Sequence, residues 1–364
     1  MSVPAAAHVA PPKATAGRIP ALDLARGIAI LGMFFAHAAP VAAESSLPLK
    51  ALSAGAQVTA PLFVMLAGVS IGLMSGGATP VSRGRRAVTT AQLARRAGAL
   101  IVIGLVLWQL NSRIAIVIDY IGITTLLVLL VLFLPRLWLA VVAAAAVVSS
   151  PILHEWSLTS GLAAEAAANP VTAKIASWLF VGPSYWAPMF LFFALSGLIL
   201  ARSDVRRPAT ARWCMLSGPG LVVLGAACAV LTSESAHPGS NSMSGNLVAI
   251  GCATSLIGFL LWIYQRQEGG YLPRVLGPVE AAGRMPLTIY TLQVILFAGF
   301  GPLFDVTNSW PFLFGITVVS LVGAWAWMRF VASQGPLERL VSWVSGRPNP
   351  PRPPARSRTQ RVGS

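Results

Sequence analysis

The stretch that decides the fold lies at residues 19–37 and reads IPALDLARGIAILGMFFAH. It is an apolar segment that carries three ionisable side chains, Asp23, Arg26 and His37. Ionisable groups are costly inside a membrane, so they are candidates for function. On a helix, Arg26 and His37 lie roughly 20° apart in rotation and about 16 Å apart along the axis, and Asp23 lies within reach of an ion pair with Arg26. We therefore predict a first membrane-spanning helix with one polar face that reaches from one surface toward the other.

The rest of the chain has the composition of a polytopic membrane protein. Of its 364 residues 55% are hydrophobic and only 10% are charged, and the mean hydropathy is +0.72. This length accommodates about ten spans joined by short loops. We predict an all-α polytopic bundle with both termini in the cytoplasm. The ten spans are expected at 20–43, 57–76, 95–108, 114–134, 137–153, 185–202, 213–231, 246–264, 285–301 and 312–331, within a membrane domain at 18–334.

The net charge of +15 is explained by membrane topology. In the ten-span arrangement only Lys50, Arg113 and Lys174 of the 26 lysines and arginines lie outside, as the positive-inside rule requires. The basic residues are therefore no sign of a nucleic-acid partner. Residues 1–17 are predicted to be a disordered cytoplasmic tail. Residues 335–364 are predicted to be a disordered basic tail near anionic membrane lipid, and the segment 155–183 is placed outside.

Three residues are candidates for catalytic chemistry. His37 suits a general base or an acyl-carrying nucleophile, because the imidazole pKa is ordinarily near neutrality; the alternative is a histidine packed between helices. Asp119, early in an apolar run, either pairs with Arg113 or orients a substrate or a histidine. His237 lies in an external turn and is either a second catalytic candidate or a solvated loop residue.

Four arginines are predicted at one depth near the inner surface, namely Arg26, Arg95, Arg96 and Arg284, with Arg95 and Arg96 at the start of the third span. They either clamp the phosphates of a nucleotide-bearing cofactor or extend toward lipid headgroups. Cys214, Cys228 and Cys252 fall in or beside apolar spans without metal-ligand spacing, which predicts apolar cysteines and no metal.

Several short motifs resemble those of transmembrane acyltransferases. LDLARGIA at 22–29 followed by His37 is similar to the opening of both the acyltransferase-3 family and the heparan-alpha-glucosaminide N-acetyltransferase family. Tail residues GPLE at 335–338 are similar to a related bacterial family, domain of unknown function 418. Four further stretches resemble the bacterial heparan-acetyltransferase-like group: APLFVMLAGVS at 60–70, YIG at 120–122, HPGS at 237–240 and GRMPLTIYT at 283–291.

This resemblance implies acyl transfer from cytoplasmic acetyl-CoA or another acyl-CoA to an acceptor at the outer face. His37 corresponds to the histidine of the acyltransferase-3 motif, whereas the loop 38–56 carries no histidine of the kind expected in the heparan group. The expected acceptor is a hydroxyl or amine of an envelope glycan or glycolipid, and the expected location is the bacterial plasma membrane. A homo-oligomer is compatible with the sequence.

Two other functions are compatible with the residues. In a transporter or lipid exporter, His37 and Asp119 would form a proton relay, although transporters more often have paired halves with broken spans. In a structural membrane subunit the fold would be kept without activity.

Overall fold

In the computed structural model, which describes residues 18–42, 44–182, 184–266 and 276–347, the chain is helical and contains no strand in those ranges. Short turns of π-helix at Ser177–Val181 and of 3-10 helix at Val306–Asn308 accompany the α-helices. The α-helices are α1 Pro20–Ala38, α2 Leu47–Ala56, α3 Thr59–Met74, α4 Arg83–Trp108, α5 Ile118–Val131, α6 Arg136–Thr159, α7 Leu162–Ala167, α8 Pro170–Ala176, α9 Ala187–Arg202, α10 Pro208–Thr232, α11 Met243–Arg266, α12 Gly277–Arg284, α13 Pro286–Phe300, α14 Trp310–Phe330 and α15 Pro336–Val344.

The chain is a polytopic helical membrane protein. Among the described residues seven helical segments are long and apolar enough to cross a bilayer: α1, α2 with α3, α4, α6, α10, α11 and α14. An eighth span results if α12 and α13, which meet at a bend of 89°, are counted as one. Each of the ten predicted spans coincides with a helix. The fourth and sixth are α5 and α9, of 14 and 16 residues, which are shorter than a usual span, so the count of ten stays a prediction.

Several predicted helix boundaries differ from those in the structure. α1 ends at Ala38 rather than at residue 43. α4 begins at Arg83 rather than at residue 95, so Arg95 and Arg96 lie in its interior. The segment 155–183, which is predicted to lie outside, contains the end of α6, then α7, α8 and the π-helical turn. Hydrophobicity marks only the apolar part of a helix, whereas Arg, Ala and Gln continue a helix beyond it.

Small residues allow two helix pairs to approach closely. A Cβ on Gly27 of α1 would meet the carbonyl oxygen of Val279 in α12, and one on Gly283 would meet that of Asp23. Gly68 of α3 and Gly197 of α9 lie against each other's helix backbones in the same way. Close backbone approach through small residues is the usual packing of membrane helices, and these glycines allow it between α1 and α12 and between α3 and α9.

A buried arginine joins three helix ends. Arg202, the last residue of α9, donates from Nη1 to the carbonyl oxygen of Gly77 at 2.7 Å. Its Nη2 donates to Ser75 Oγ at 2.9 Å and to the carbonyl oxygen of Leu132 at 3.1 Å. The ends of α3, α5 and α9 therefore meet at one end of the bundle. Because α1 starts there, we call it the Arg26 end and the opposite one the His37 end.

Candidate functional site

Asp23 holds two arginines at the Arg26 end. Its Oδ1 accepts from Arg26 Nη1 at 2.6 Å and its Oδ2 accepts from Arg18 Nε at 2.6 Å. Arg26 also donates from Nη2 to Ser70 Oγ of α3 at 3.0 Å. The predicted Asp23–Arg26 ion pair is therefore present, and it fixes the Arg26 guanidinium between α1 and α3.

A cavity of about 230 Å³ opens beside this pair. It brings together three of the four predicted arginines, Arg26, Arg96 and Arg284, and adds Arg18. Arg95 does not line it, and its side chain is exposed. Among the described residues Arg96 forms no hydrogen bond or ion pair. The cavity, which we call the arginine pocket, therefore has a strong excess of positive charge and one guanidinium free to bind an anion.

A helix from the predicted tail closes the arginine pocket. α15 packs on α4 and α13 and contributes Glu338, Val341 and Ser342 to the lining. Glu338 accepts from the backbone nitrogens of Leu287 and Thr288 at 2.7 and 3.1 Å and so caps α13. The tail predicted at 335–364 therefore begins with an ordered helix. The rest of that tail, 348–364, and the N-terminal tail 1–17 lie outside the described residues.

A thin apolar layer separates the arginine pocket from a second cavity. Phe63, Ile118 and Leu287 line the arginine pocket. Within three residues of each along the chain, Ala60, Val117 and Tyr290 line the other cavity. Three residues of helix rise about 4.5 Å. The two cavities are thus stacked along the membrane normal and are separated by about one helical turn.

The second cavity, of about 120 Å³, contains His37. The His37 Nδ1 lies 2.9 Å from Nε2 of Gln293, a fully buried side chain of α13, and the ring packs edge-on against Phe297. The Tyr290 hydroxyl accepts from the Val117 nitrogen at 3.0 Å and donates to the carbonyl oxygen of Ala115 at 3.1 Å. α13 therefore orients the imidazole and also holds the backbone that forms the floor of its cavity.

The partner of Nδ1 sets the tautomer of His37. With the Gln293 amide nitrogen donating to Nδ1, the proton of the neutral ring is on Nε2, which then acts as a donor. A 180° rotation of the amide places Oε1, which has no hydrogen-bond partner, against Nδ1. Nδ1 then carries the proton and Nε2 becomes a base. The amide side chain thus allows either role without a change of charge.

The structure corrects the predicted surroundings of Asp119. Its Oδ2 accepts from Lys174 Nζ at 2.8 Å and from Trp178 Nε1 at 2.8 Å, and neither Arg113 nor His37 contacts it. α8, through Lys174, and the π-helical turn, through Trp178, cover Asp119 directly. Asp119 therefore has Lys174 and Trp178 as its partners and is not in direct contact with the histidine.

Two more cavities adjoin the His37 cavity at Tyr185, which lines all three. One, of about 350 Å³, is lined by Trp108, Tyr120 and Lys174, and the ammonium group of Lys174 faces both of these rings. The other has a volume of about 220 Å³ and lies under the loop after α10. Together the three cavities form what we call the outer chamber.

His237 is at the rim of the outer chamber. Its side chain is exposed, and its Nδ1 accepts from the Gly239 nitrogen at 3.2 Å. Pro238 and Gly239 line the outer chamber, and Gly239 lies against Gln57, which also lines the His37 cavity. The turn at 235–240 therefore folds over the chamber, while the His237 ring itself does not line it.

The family model described as an acyltransferase domain, acyltransferase-3, matches residues 19–329, from the start of α1 almost to the end of α14. The chain belongs to the acyltransferase-3 family. Comparison with curated proteins and with solved structures gave no match to either. The protein is therefore a membrane acyltransferase. The match includes His37 and three of the four arginines of the arginine pocket, Arg26, Arg96 and Arg284, whereas Arg18 and α15 lie beyond it.

The acyltransferase has several site residues that the sequence analysis did not single out. Gln293 could have been found as an amide within an apolar helix. No local signal connects Lys174 with Asp119, because 55 positions separate them. The other site residues that the sequence does not single out are Arg18, Trp178, Tyr185, Tyr290 and Glu338. In the described ranges no group of three or more His, Cys, Asp or Glu residues is placed to hold a metal.

Proposed function

We propose that this acyltransferase transfers an acetyl or other acyl group from acyl-CoA at the Arg26 end to a hydroxyl or amine at the His37 end. The observation that carries the proposal is the stacking of the arginine pocket below the His37 cavity across one apolar layer. The rise of about 16 Å from Arg26 to His37 is comparable to an extended pantetheine arm. The Arg26 end is taken as cytoplasmic from the positive-inside rule.

The arginine pocket fits the phosphates of the donor. Arg96 and Arg284 can bind phosphate oxygens by charge-assisted hydrogen bonds, while Arg26 is oriented by Asp23 and Ser70. Their position leaves the neutral thioester as the part that enters the apolar layer. Placing charge at the membrane surface and the reacting carbonyl group deeper avoids burying phosphate.

His37 acts as the general base. Its Nε2 takes the proton of the acceptor hydroxyl or amine as the acceptor oxygen or nitrogen attacks the thioester carbonyl carbon. The carbon–sulfur bond then breaks, CoA leaves as a thiolate, and the proton passes from the imidazolium to the sulfur. This sequence needs Nδ1–H to donate to Gln293 Oε1, which is the rotated form of the amide.

The outer chamber is the site of the acceptor in this proposal. Trp108, Tyr120 and Tyr185 offer apolar ring surfaces, and Lys174 offers a cation beside them. Such a lining suits a ring-shaped polar acceptor. The resemblance to the bacterial heparan-acetyltransferase-like group favours a glycan or glycolipid of the bacterial envelope, with the protein in the plasma membrane. O- and N-acylation are both compatible with a histidine base.

The first experiment is equilibrium binding of radiolabelled acetyl-CoA to the purified full-length protein. We expect saturable binding that free CoA displaces. A transporter or a structural subunit has no need of a specific acetyl-CoA site, so absence of saturable binding would overturn the proposed donor. Comparison of acetylated envelope lipids and glycans from a deletion strain and its parent would then identify the acceptor.

The sidedness is tested separately by labelling single cysteines in a variant whose three native cysteines are replaced by serine. A membrane-impermeant maleimide added to intact cells should modify Ala164→Cys, in α7, and should not modify Thr79→Cys, in the exposed turn after α3. Outside labelling of Thr79→Cys would reverse the proposed direction of transfer.

A further inference from the structure

A large cleft on the Arg26 side of the bundle is separate from both the arginine pocket and the outer chamber. Its volume is about 630 Å³. The floor is formed by α9 with parts of α3 and α11, and the walls are one face of α6 and one face of α10. The proposed acyl transfer makes no use of this cleft.

The cleft is charged at one end and mostly apolar along the rest of its length. Arg136, Arg207, Ser203 and Thr210 line its mouth, at the starts of α6 and α10 and the end of α9. Further in from the mouth, the α6 wall is lined by small apolar side chains, namely Ala140, Ala143, Ala144 and Val147.

The length of the cleft corresponds to one leaflet. On α6 it extends from Arg136 to Val147, and on α9 from Ser203 to Phe192, which is eleven residues in each case. Eleven residues rise about 16 Å, or roughly half of a hydrocarbon core about 30 Å thick. The cleft therefore runs from the membrane surface at the Arg26 end to the middle of the bilayer.

The arginine side chains at the mouth of the cleft favour a lipid headgroup with a negative charge. Arg136 is exposed and forms no hydrogen bond or ion pair with a described residue. Arg207 is exposed and pairs with Asp204, with Nε and Oδ2 3.2 Å apart. The exposed indole of Trp213, one turn further in, lines the cleft where tryptophan is usual in membrane proteins, near the headgroup level.

From this arrangement we propose that the cleft is a binding site for one anionic phospholipid of the leaflet at the Arg26 end. The phosphate lies between Arg136 and Arg207, and one acyl chain lies along the alanine face of α6 over the floor formed by α9. Basic side chains at the membrane surface attract anionic lipids, and the small side chains of the α6 wall leave room for the chain.

The test uses native mass spectrometry of the purified, delipidated full-length protein. The probes are dimyristoyl phosphatidylglycerol, which is anionic, and dimyristoyl phosphatidylcholine, which has the same chains and no net charge. We expect the first phosphatidylglycerol molecule to bind at least about tenfold more tightly than the first phosphatidylcholine molecule.

Three variants locate the site. The double variant Arg136→Gln and Arg207→Gln changes only exposed side chains at helix starts. It should lower the affinity for phosphatidylglycerol to that for phosphatidylcholine. Arg85→Gln is the matched control, because it removes one exposed arginine from the first turn of α4, away from the cleft, and it should bind both lipids as the parent does. Ala143→Trp fills the cleft and should weaken the binding of both lipids. The melting temperature of this variant is measured as well, to show that it is folded.

Equal binding of the two lipids by the parent protein would overturn the proposal. An equal loss of phosphatidylglycerol binding in Arg85→Gln and in the double variant would also overturn it. Parental lipid binding by a folded Ala143→Trp protein would place the lipid elsewhere. If Ala143→Trp instead abolishes a dimer and leaves lipid binding unchanged, the cleft accommodates a second copy of the chain and the lipid site is refuted.

Discussion

The two ends of the first helix solve the same problem in different ways. At the Arg26 end, charged side chains are paired with opposite charges, since Asp23 bridges Arg18 and Arg26. Glu338 caps the start of α13. At the His37 end, the imidazole is met by a single neutral amide from Gln293. Both arrangements keep a polar group satisfied inside the membrane domain, but only the second leaves a side chain whose proton can move.

This difference suggests a division of roles. A guanidinium fixed by a carboxylate is a rigid element that keeps its charge, which suits the binding of phosphate. An imidazole on an amide can switch tautomer without a change in net charge, which suits proton transfer. The comparison therefore predicts that changes at the Arg26 end alter affinity for the donor, whereas changes at the His37 end alter turnover.

The largest effect is expected for His37→Ala. General acid–base catalysis contributes about 10²–10⁴-fold, so acyl transfer should fall by at least about a hundredfold. Acyl-CoA affinity should stay within a few-fold, because the nucleotide is held at the other end. Turnover and donor binding are measured on the same purified protein together with its melting temperature. Near-parental turnover would show that His37 is a packed histidine.

A smaller effect, on affinity, is expected for Arg96→Gln. Charge-assisted contacts are worth about 1.5–3 kcal/mol, so acyl-CoA should bind roughly ten- to a hundredfold more weakly. Arg96 is a cleaner probe than Arg26, because the loss of Arg26 also leaves the buried Asp23 without one of its partners. The matched control is Arg95→Gln on the adjacent exposed position, which should bind acyl-CoA as the parent does.

If Arg96→Gln and Arg95→Gln weaken donor binding equally, the arginines act through diffuse charge at the membrane surface and the arginine pocket is not the nucleotide site. If neither has an effect, the donor is bound elsewhere. Isothermal calorimetry in detergent distinguishes these results.

Gln293→Leu should reduce turnover by on the order of tenfold, as the loss of a hydrogen-bond partner behind a functional histidine commonly does. The side chain positions His37 and does not itself react. Gln293→Glu is the informative companion, because a carboxylate accepts from Nδ1–H and keeps Nε2 free as a base. We expect Gln293→Glu to be more active than Gln293→Leu. The reverse order, with both proteins folded, would contradict the general-base role.

The smallest effect is expected for His237→Ala, with turnover within a few-fold of the parent. The ring is exposed at the rim and bonds its own loop through Gly239. Kinetics with varied acceptor concentration are the suitable measurement, since a rim residue would change KM before kcat. A fall in turnover as large as that of His37→Ala would move the catalytic histidine to the external turn.

The sequence was sufficient for the helical class and for much of the Arg26 end. Helical periodicity places Arg26 and His37 on one face, and Asp23 forms an ion pair with Arg26 because the two are three residues apart. Periodicity could also have separated Arg96 from Arg95, since neighbours on a helix point about 100° apart, but the sequence does not say which of the two faces the cavity.

The remaining contacts depend on tertiary structure. Arg113 is one predicted partner of Asp119 because it is the nearest cation along the chain, yet α8 brings Lys174 onto Asp119 from 55 positions away. Gln293 meets His37 from 256 positions away. α15 could not be recognised as part of the arginine pocket, because a short amphipathic segment after the last span looks like a tail until its partner Thr288 is known.

The layer formed by Phe63, Ile118 and Leu287 has a consequence for the membrane itself. If the acyl group passes here, the path of the reaction and the electrical insulation of the cell depend on the same few side chains. An apolar layer about one turn thick hinders an ion through the cost of removing its hydration water, while a neutral thioester bears no such cost. Replacing Leu287 by a small polar residue would therefore be expected to appear first as ion leakage across the bilayer and only later as a change in enzymology.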